Sequence, residues 1–399
     1  MTPKSILIVM SIISITGGAL FFAISHNIII IRIPTHKIVQ QPHVVLKKEL
    51  MRFTYWKGVT RCHEWRHIMQ DDQDVVTAQR IINTYWTLVE DAGLLPSRVG
   101  VQAVTTDRAK QTLLCSLSNS PFNTETSVLD AWLIIEGLIL TLRELMPQFQ
   151  KILLLANHKV LTHSGLDYSR PWPLEGFSAV AQFAENYTPP TLAATKNIVD
   201  QPLIVYINPS GNAYHAGRTI GDSFEHGIAL NCAQLLKDEL ALRLPSARVI
   251  INHGREQHRD AVQHINQAHR IRANIYIHLS FYQSQQSTPE LILTTFRWHP
   301  TTDLWKHEVP LGSFVPLHEA HFKSATTSHH SAQRMFHYAA TNRPYPLFAR
   351  AYLTLPYAPL AGLAIPAVGL EVGIQQAQQL ADIVPALTDL IVEGCKALP

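Results

Sequence analysis

This sequence predicts an α/β protein behind an N-terminal transmembrane helix, and three observations carry that expectation. Ile6 to Ser25 is a 20-residue run without a charged side chain, preceded by Lys4. Strand and helix patterns alternate from Leu203 to Ser280, an order that favours a mostly parallel sheet with helices packed on it. The 399 residues are 46% hydrophobic and 16% charged, a balance that argues for packed globular structure and leaves room for two domains with full cores.

The elements follow in chain order. Ile6–Ser25 is long enough to cross the hydrocarbon layer as one helix. It exceeds the ~7–15 residues of a signal core, which favours an uncleaved anchor; a cleaved signal peptide ending at Ala23-x-Ser25 is the alternative. Lys4 on one side faces Arg32, Lys37, Lys47 and Lys48 on the other, so charge gives no orientation. Residues 1–32 are thus the anchor or signal segment, and residues 33–70, with Pro34 and Pro42, read as a juxtamembrane connector. Asp74–Glu90 has the apolar spacing of a helix, closed by Gly93 and Pro96. Val99–Val104 and Thr112–Leu117 are short strands, and Ser127 precedes a second helix over Val128–Leu145. Ile152–Ala156 is a buried strand. Pro189-Pro190 opens a polar linker that runs to Gln201. Beyond it come strands at Leu203–Ile207, Arg248–Asn252 and Ile275–Ser280, with helices at Ile228–Leu242 and Ala261–His269 between them.

Composition narrows function less than it narrows fold. Net charge is +3 with the 33 basic residues scattered, so no stripe points to nucleic acid. Cys62, Cys115, Cys232 and Cys395 lie far apart without CxxC spacing, which supplies neither a zinc knuckle nor a disulfide framework. His63-Glu64-Trp65-Arg66-His67 spells HExxH, the string in which two His one helical turn apart bind zinc and the Glu acts as base. Arg66 inside the string and the absence of an HxxGxxH extension speak against a metalloprotease, and a juxtamembrane helical turn is expected there.

Four stretches carry a resemblance. Tyr206-Ile-Asn-Pro-Ser-Gly-Asn-Ala213, Ser223-Phe-Glu-His-Gly-Ile-Ala-Leu230, Ala273-Asn-Ile-Tyr-Ile-His-Leu-Ser280 and Pro366-Ala-Val-Gly-Leu-Glu-Val-Gly373 resemble the landmarks of the zinc-dependent N-acetylmuramoyl-L-alanine amidases, which cleave the bond between the glycan and the peptide of peptidoglycan. The resemblance implies an amidase-like α/β domain over 202–399, with Glu225 as a zinc ligand and Glu371 as the catalytic carboxylate. It also implies losses. Gly211 stands where the family's first ligand His belongs, and Ser280 where its last one does. A hydrolytic zinc site needs three protein ligands and one open position for water. His278 lies on the same strand face as Ser280 but roughly 6–7 Å along it, and His215 or His226 could approach from the loop beside Glu225. The expectation is therefore an envelope protein that acts on or binds peptidoglycan through a degenerate or non-standard site. Zinc would be held by Glu225 with His278 and His215 if the site is active; the alternative is an inactive binding or regulatory module.

In the other half, Glu136-Gly-Leu-Ile-Leu-Thr-Leu142, Lys151-Ile-Leu-Leu-Leu-Ala-Asn-His158 and Gly165-Leu-Asp-Tyr-Ser-Arg-Pro-Trp172 resemble the GerMN domain of envelope and sporulation proteins. This implies a GerMN-like α+β domain over 71–188, in which Glu136 orders the fold. The linker is then 189–201. Gln283–Asn342, with Trp298, Trp305, His318, His321, His329 and His330, departs from the amidase pattern and is expected to be an insertion near the site mouth.

Overall fold

The computed structural model describes residues 47–187, 202–212, 215–252, 261–298, 317–342 and 345–399, all within one compact unit. The expected membrane segment and the expected linker lie outside the described residues. Among the described residues no helix is long and apolar enough to cross a membrane.

The first elements are the strands β1 (Lys48–Lys57) and β2 (Thr60–Met69). They pair antiparallel from Lys48↔Met69 to Lys57↔Thr60 and turn at Gly58-Val59, with Gly58 at φ 57°. This corrects the helical turn expected at 63–67. Met51, Phe53 and Ile68 point into the core, and that burial fixes the segment as a hairpin. Helix α1 (Asp74–Asp91) follows, then β3 (Val101–Asp107), β4 (Thr112–Leu117), helix α2 (Val128–Leu145), β5 (Lys151–Ala156) and the short β6 (Lys159–Val160) and β7 (Trp172–Pro173). Their sheet runs β3-β4-β5-β6, with β7 also on β5; β4 and β5 are parallel.

Helix α2 starts where Ser127 Oγ accepts the Asp130 amide, and Arg143 sits in its last turn, against the negative end of the helix dipole. It is buried along most of its length, so three polar groups on it are spent on structure. Thr141 Oγ1 accepts the Thr54 amide at 2.9 Å and donates to the Thr54 carbonyl at 3.2 Å, stitching the hairpin to the helix. The fully buried Glu136 carboxylate accepts the Phe177 amide at 2.9 Å, the Ser178 amide at 2.8 Å and Trp132 Nε1 at 3.2 Å. These bonds tie α2 to the 177–178 turn.

The second sheet is built from β8 (Gln182–Phe183), β9 (Leu203–Pro209), β12 (Ala247–Ile251), β13 (Ile275–Gln283), β14 (Glu290–Phe296), β15 (Phe348–Leu355) and β16 (Ala367–Ile374). A two-residue ribbon, β10 (Thr219–Ile220) with β11 (Ser223–Phe224), precedes helix α3 (Glu225–Arg243); helices α4 (Ala261–Arg270), α5 (Ala325–Thr341) and α6 (Leu380–Cys395) complete the set. Strand order is β12-β9-β13-β16-β14-β15-β8. The first four strands are mutually parallel, β14 is antiparallel to β16 and parallel to β15. The mixed α/β class with a mostly parallel sheet is therefore present. The expected insertion is corrected: β14 is an interior strand and α5 packs on it, so 290–296 and 325–341 belong to the domain core.

Strand period decides which side chains meet the site. Ile275, Ile277, Leu279 and Phe281 of β13 and Val368, Leu370, Val372 and Ile374 of β16 face the core built with α3, α5 and α6. Their neighbours His278, Ser280 and Glu371 therefore point to the opposite face. That face is covered by the N-terminal half: Leu166 bridges to Tyr357, the Ala358 amide donates to the Gly165 carbonyl, and β8 pairs with β15 at the sheet edge.

Candidate functional site

The site lies where β9, β13 and β16 end against the N-terminal half. After β9 the chain passes Ser210 and Gly211 and reaches Gly217-Arg218 before the ribbon and α3. Glu225 is the first residue of α3 and is buried. Its Oε1 accepts Ser210 Oγ at 2.7 Å and the Phe281 amide at 3.1 Å, and its Oε2 accepts the Arg218 amide at 3.1 Å. Gly217 makes that last contact possible. At φ +78° it adopts a backbone shape suited to glycine, and a Cβ there would lie 2.6 Å from Glu225 Oε2.

Arg218 then turns inward and is 2% exposed. Its guanidinium uses all five N–H groups. Nε donates to the Thr124 carbonyl at 3.1 Å; Nη1 donates to the Phe281 carbonyl at 2.9 Å and to Glu371 Oε1 at 2.7 Å; Nη2 donates to the Thr126 carbonyl at 3.1 Å and to Ser164 Oγ at 3.0 Å. Glu371, 1% exposed, uses its other oxygen to accept the Val128 amide at 2.9 Å, at the positive end of α2. Ion-pair partners this short and this dry are charge-assisted. Burial works against the charge of Arg218, and the carboxylates of Glu371 and Glu225 more than offset it, holding the guanidinium above its ordinary range. Burial also pushes the Glu371 carboxyl up, while Arg218 and the Val128 amide draw it back.

The remaining expected residues are placed separately. His278 is buried, its Nδ1 lies 3.3 Å from Asn208 Nδ2, and its ring packs edge-on to Tyr357 at 5.8 Å. Burial, then His264 and Arg218, push it down to about 3, so it is neutral. Ser280 is opposite Glu371 in the register and lies 3.5 Å from the Tyr357 hydroxyl. His215 is exposed on the loop before Gly217. Its neighbour in space, Gly211, has φ +76°, and a Cβ there would stand 2.8 Å from the His215 carbonyl and 2.9 Å from His226 Cβ. A His cannot be accommodated at 211 without moving this turn.

Zinc does not fit these residues. The Arg218 guanidinium already bonds Glu371, Glu225 accepts the Arg218 backbone amide, and both Glu371 oxygens are engaged by donors. Among the described residues no group of three or more His, Cys, Asp or Glu could hold a metal ion. The HExxH string is excluded on separate grounds. It lies on β2, where residues four apart are about 13 Å apart along the strand, and Glu64 pairs with Arg66.

Arg218 is the residue that sequence reasoning missed. A signal for it existed: between Pro202 and Phe224 it is the sole Lys or Arg, and two buried carboxylates without a metal require a counter-charge. Its partners at Thr124, Thr126 and Ser164 come from the other half of the chain and leave no local trace.

No family model matches the chain, and no curated protein does. Several solved structures resemble it. The catalytic domain of CwlV, an N-acetylmuramoyl-L-alanine amidase from Bacillus (Paenibacillus) polymyxa var. colistinus, is 16% identical over 48% of this chain and 95% of that one, with a TM-score of 0.33. Ami1, an N-acetylmuramyl-L-alanine amidase from Mycobacterium smegmatis, is 14% identical over 50% and 96%, with a TM-score of 0.34. A putative lipoprotein from Clostridium perfringens is 18% identical over 33% and 89%, with a TM-score of 0.23.

Proposed function

We propose that this protein is an amidase-like component of the bacterial cell envelope that binds peptidoglycan without cleaving it. The observation that carries the non-hydrolytic part is the Arg218 guanidinium, bonded to Glu371 at 2.7 Å and held by Glu225 through its own backbone. It supplies the positive charge that the two carboxylates need, and it offers no open coordination position for water. Glu371 is 1% exposed with each oxygen already accepting a hydrogen bond, so it presents no accessible base to a water in the cleft.

The peptidoglycan part is supported by the four amidase landmarks and by the GerMN-like pattern of the other half. Ile6–Ser25 would hold the chain in the inner membrane with its bulk extracytoplasmic. The test is sedimentation of the full chain, in detergent, with purified sacculi, followed by chromatography of whatever is released. The protein should pellet with the sacculi and release no stem peptides. Release that disappears in Glu371→Gln would restore the hydrolase; failure to pellet would remove peptidoglycan from the account.

A further inference from the structure

Above the Arg218 pair a cleft of ≈ 620 Å³ stays open between the two halves. One wall comes from the N-terminal half, the 120–124 and 162–164 loops, and the other from the 215–218 loop of the amidase-like half. Its volume lies within the ~300–1,000 Å³ range of small-ligand sites.

Above the floor the walls carry the Phe122 ring, uncharged polar groups and two imidazoles, His163, which burial pushes down to about 3, and His215. Ser120, Asn123, Thr124, Thr162 and Ser164 contribute hydroxyl and amide groups, and Thr162, Ser164, Asn123 and Thr124 are exposed. Arg218 and Glu225 are the two Arg, Lys, Asp or Glu side chains in the lining, and they form the floor. All five guanidinium N–H groups of Arg218 are taken, and Glu225 accepts three hydrogen bonds from the protein. Arg218 therefore has no N–H left to donate to a ligand carboxylate, and Glu225 is an acceptor only. The stem peptides of peptidoglycan carry several carboxylates, and burying those in a cleft whose guanidinium has every N–H engaged, beside the Glu225 carboxylate, is costly. Sugar hydroxyls and N-acetyl amides carry no charge and match hydroxyl and amide partners.

We propose that this cleft, walled by both halves, binds the N-acetylated glycan strand of peptidoglycan and does not read the stem peptide. The inference rests on the peptidoglycan reading above and narrows it to one polymer component and one location. Because half of the wall is N-terminal, glycan binding depends on the two halves staying docked through Arg218.

The experiment compares three probes against the full chain in detergent: intact sacculi, glycan strands stripped of peptide, and free stem peptides. Thr162→Trp, at an exposed loop position, fills the cleft without touching the Arg218 bonds. Stripped glycan should bind like sacculi, free stem peptides should not compete, and Thr162→Trp should weaken glycan binding at least tenfold with an unchanged melting temperature. Binding of stem peptides in place of glycan, or glycan binding unchanged in a folded Thr162→Trp, overturns this inference and leaves the peptidoglycan reading standing. Sacculi that fail to bind the wild-type chain overturn both.

Discussion

Replacing Arg218 by methionine removes the positive charge from a site that keeps two buried carboxylates. Glu225 retains Ser210 Oγ, the Phe281 amide and the residue-218 amide, so the burden falls on Glu371, which is left with the Val128 amide alone. Breaking one side of a buried ion pair costs about 3–5 kcal/mol, a large share of the ~5–15 kcal/mol that holds a domain together. Urea denaturation followed by tryptophan fluorescence reads the cost as a lowered midpoint with an unchanged slope. Two further readouts separate charge from packing. Glu371→Gln in the Arg218→Met background keeps an acceptor for the Val128 amide and removes the orphaned charge, so it should recover about 2 kcal/mol or more. The deficit should also depend on pH. Without Arg218 the folded-state pKa of Glu371 rises further above its unfolded value, so the variant is least impaired below the unfolded carboxylate range and loses stability as pH rises through the folded value. A cost below about 1 kcal/mol at pH 7, or no recovery from Glu371→Gln, would refute the claim that the guanidinium is the cation of this site.

Other consequences follow from the same geometry. His278, held near 3 by burial, is neutral in the fold, so its contribution is complete above its unfolded pKa and is lost as pH falls; by pH 4.5 it should cost about 2–3 kcal/mol, relieved in His278→Gln. His163 and His329, pushed down to about 3 and about 4, act in the same direction, and acid melts should show a steep midpoint shift below pH 6.5. Glu136→Leu strands the Phe177 and Ser178 amides and Trp132 Nε1, and should lower stability by about 3 kcal/mol or more in denaturant melts. Gly211→His places a side chain at φ +76° against the His215 carbonyl and His226; it should lose about 1–3 kcal/mol and gain no zinc affinity by calorimetry.

What the sequence shows of this fold depends on how local the cause is. Helix α2 spans Val128–Leu145 behind Ser127, as the cap and apolar spacing predict, and β4 spans Thr112–Leu117, because both are specified by neighbouring residues. The alternating order from Leu203 to Ser280 likewise survives as the parallel strands β12, β9 and β13. The hairpin was hidden because β2 is partly exposed, with Trp65 and Met69 outward and few apolar residues inward, so its pattern is weak. β14 was hidden behind the polar stretch that precedes it, although Leu291, Ile292 and Leu293 are apolar and fully buried. At the site, Glu225 and Glu371 were legible from short motifs. Their common partner was not, since Arg218 is placed by a glycine turn and by contacts with Thr124, Thr126 and Ser164, far away in the chain. The Glu371 contact with the Val128 amide spans 243 positions, a tertiary fact that no local pattern encodes.

The most direct test of the central claim is the zinc content of the purified full chain, by elemental analysis after dialysis against trace zinc, beside Arg218→Met and Glu225→Ala. With Arg218 as the site's cation, the wild-type chain retains no stoichiometric zinc and Glu225→Ala changes nothing. Near-stoichiometric zinc in the wild type that is lost in Glu225→Ala would contradict the account and return the site to metal chemistry.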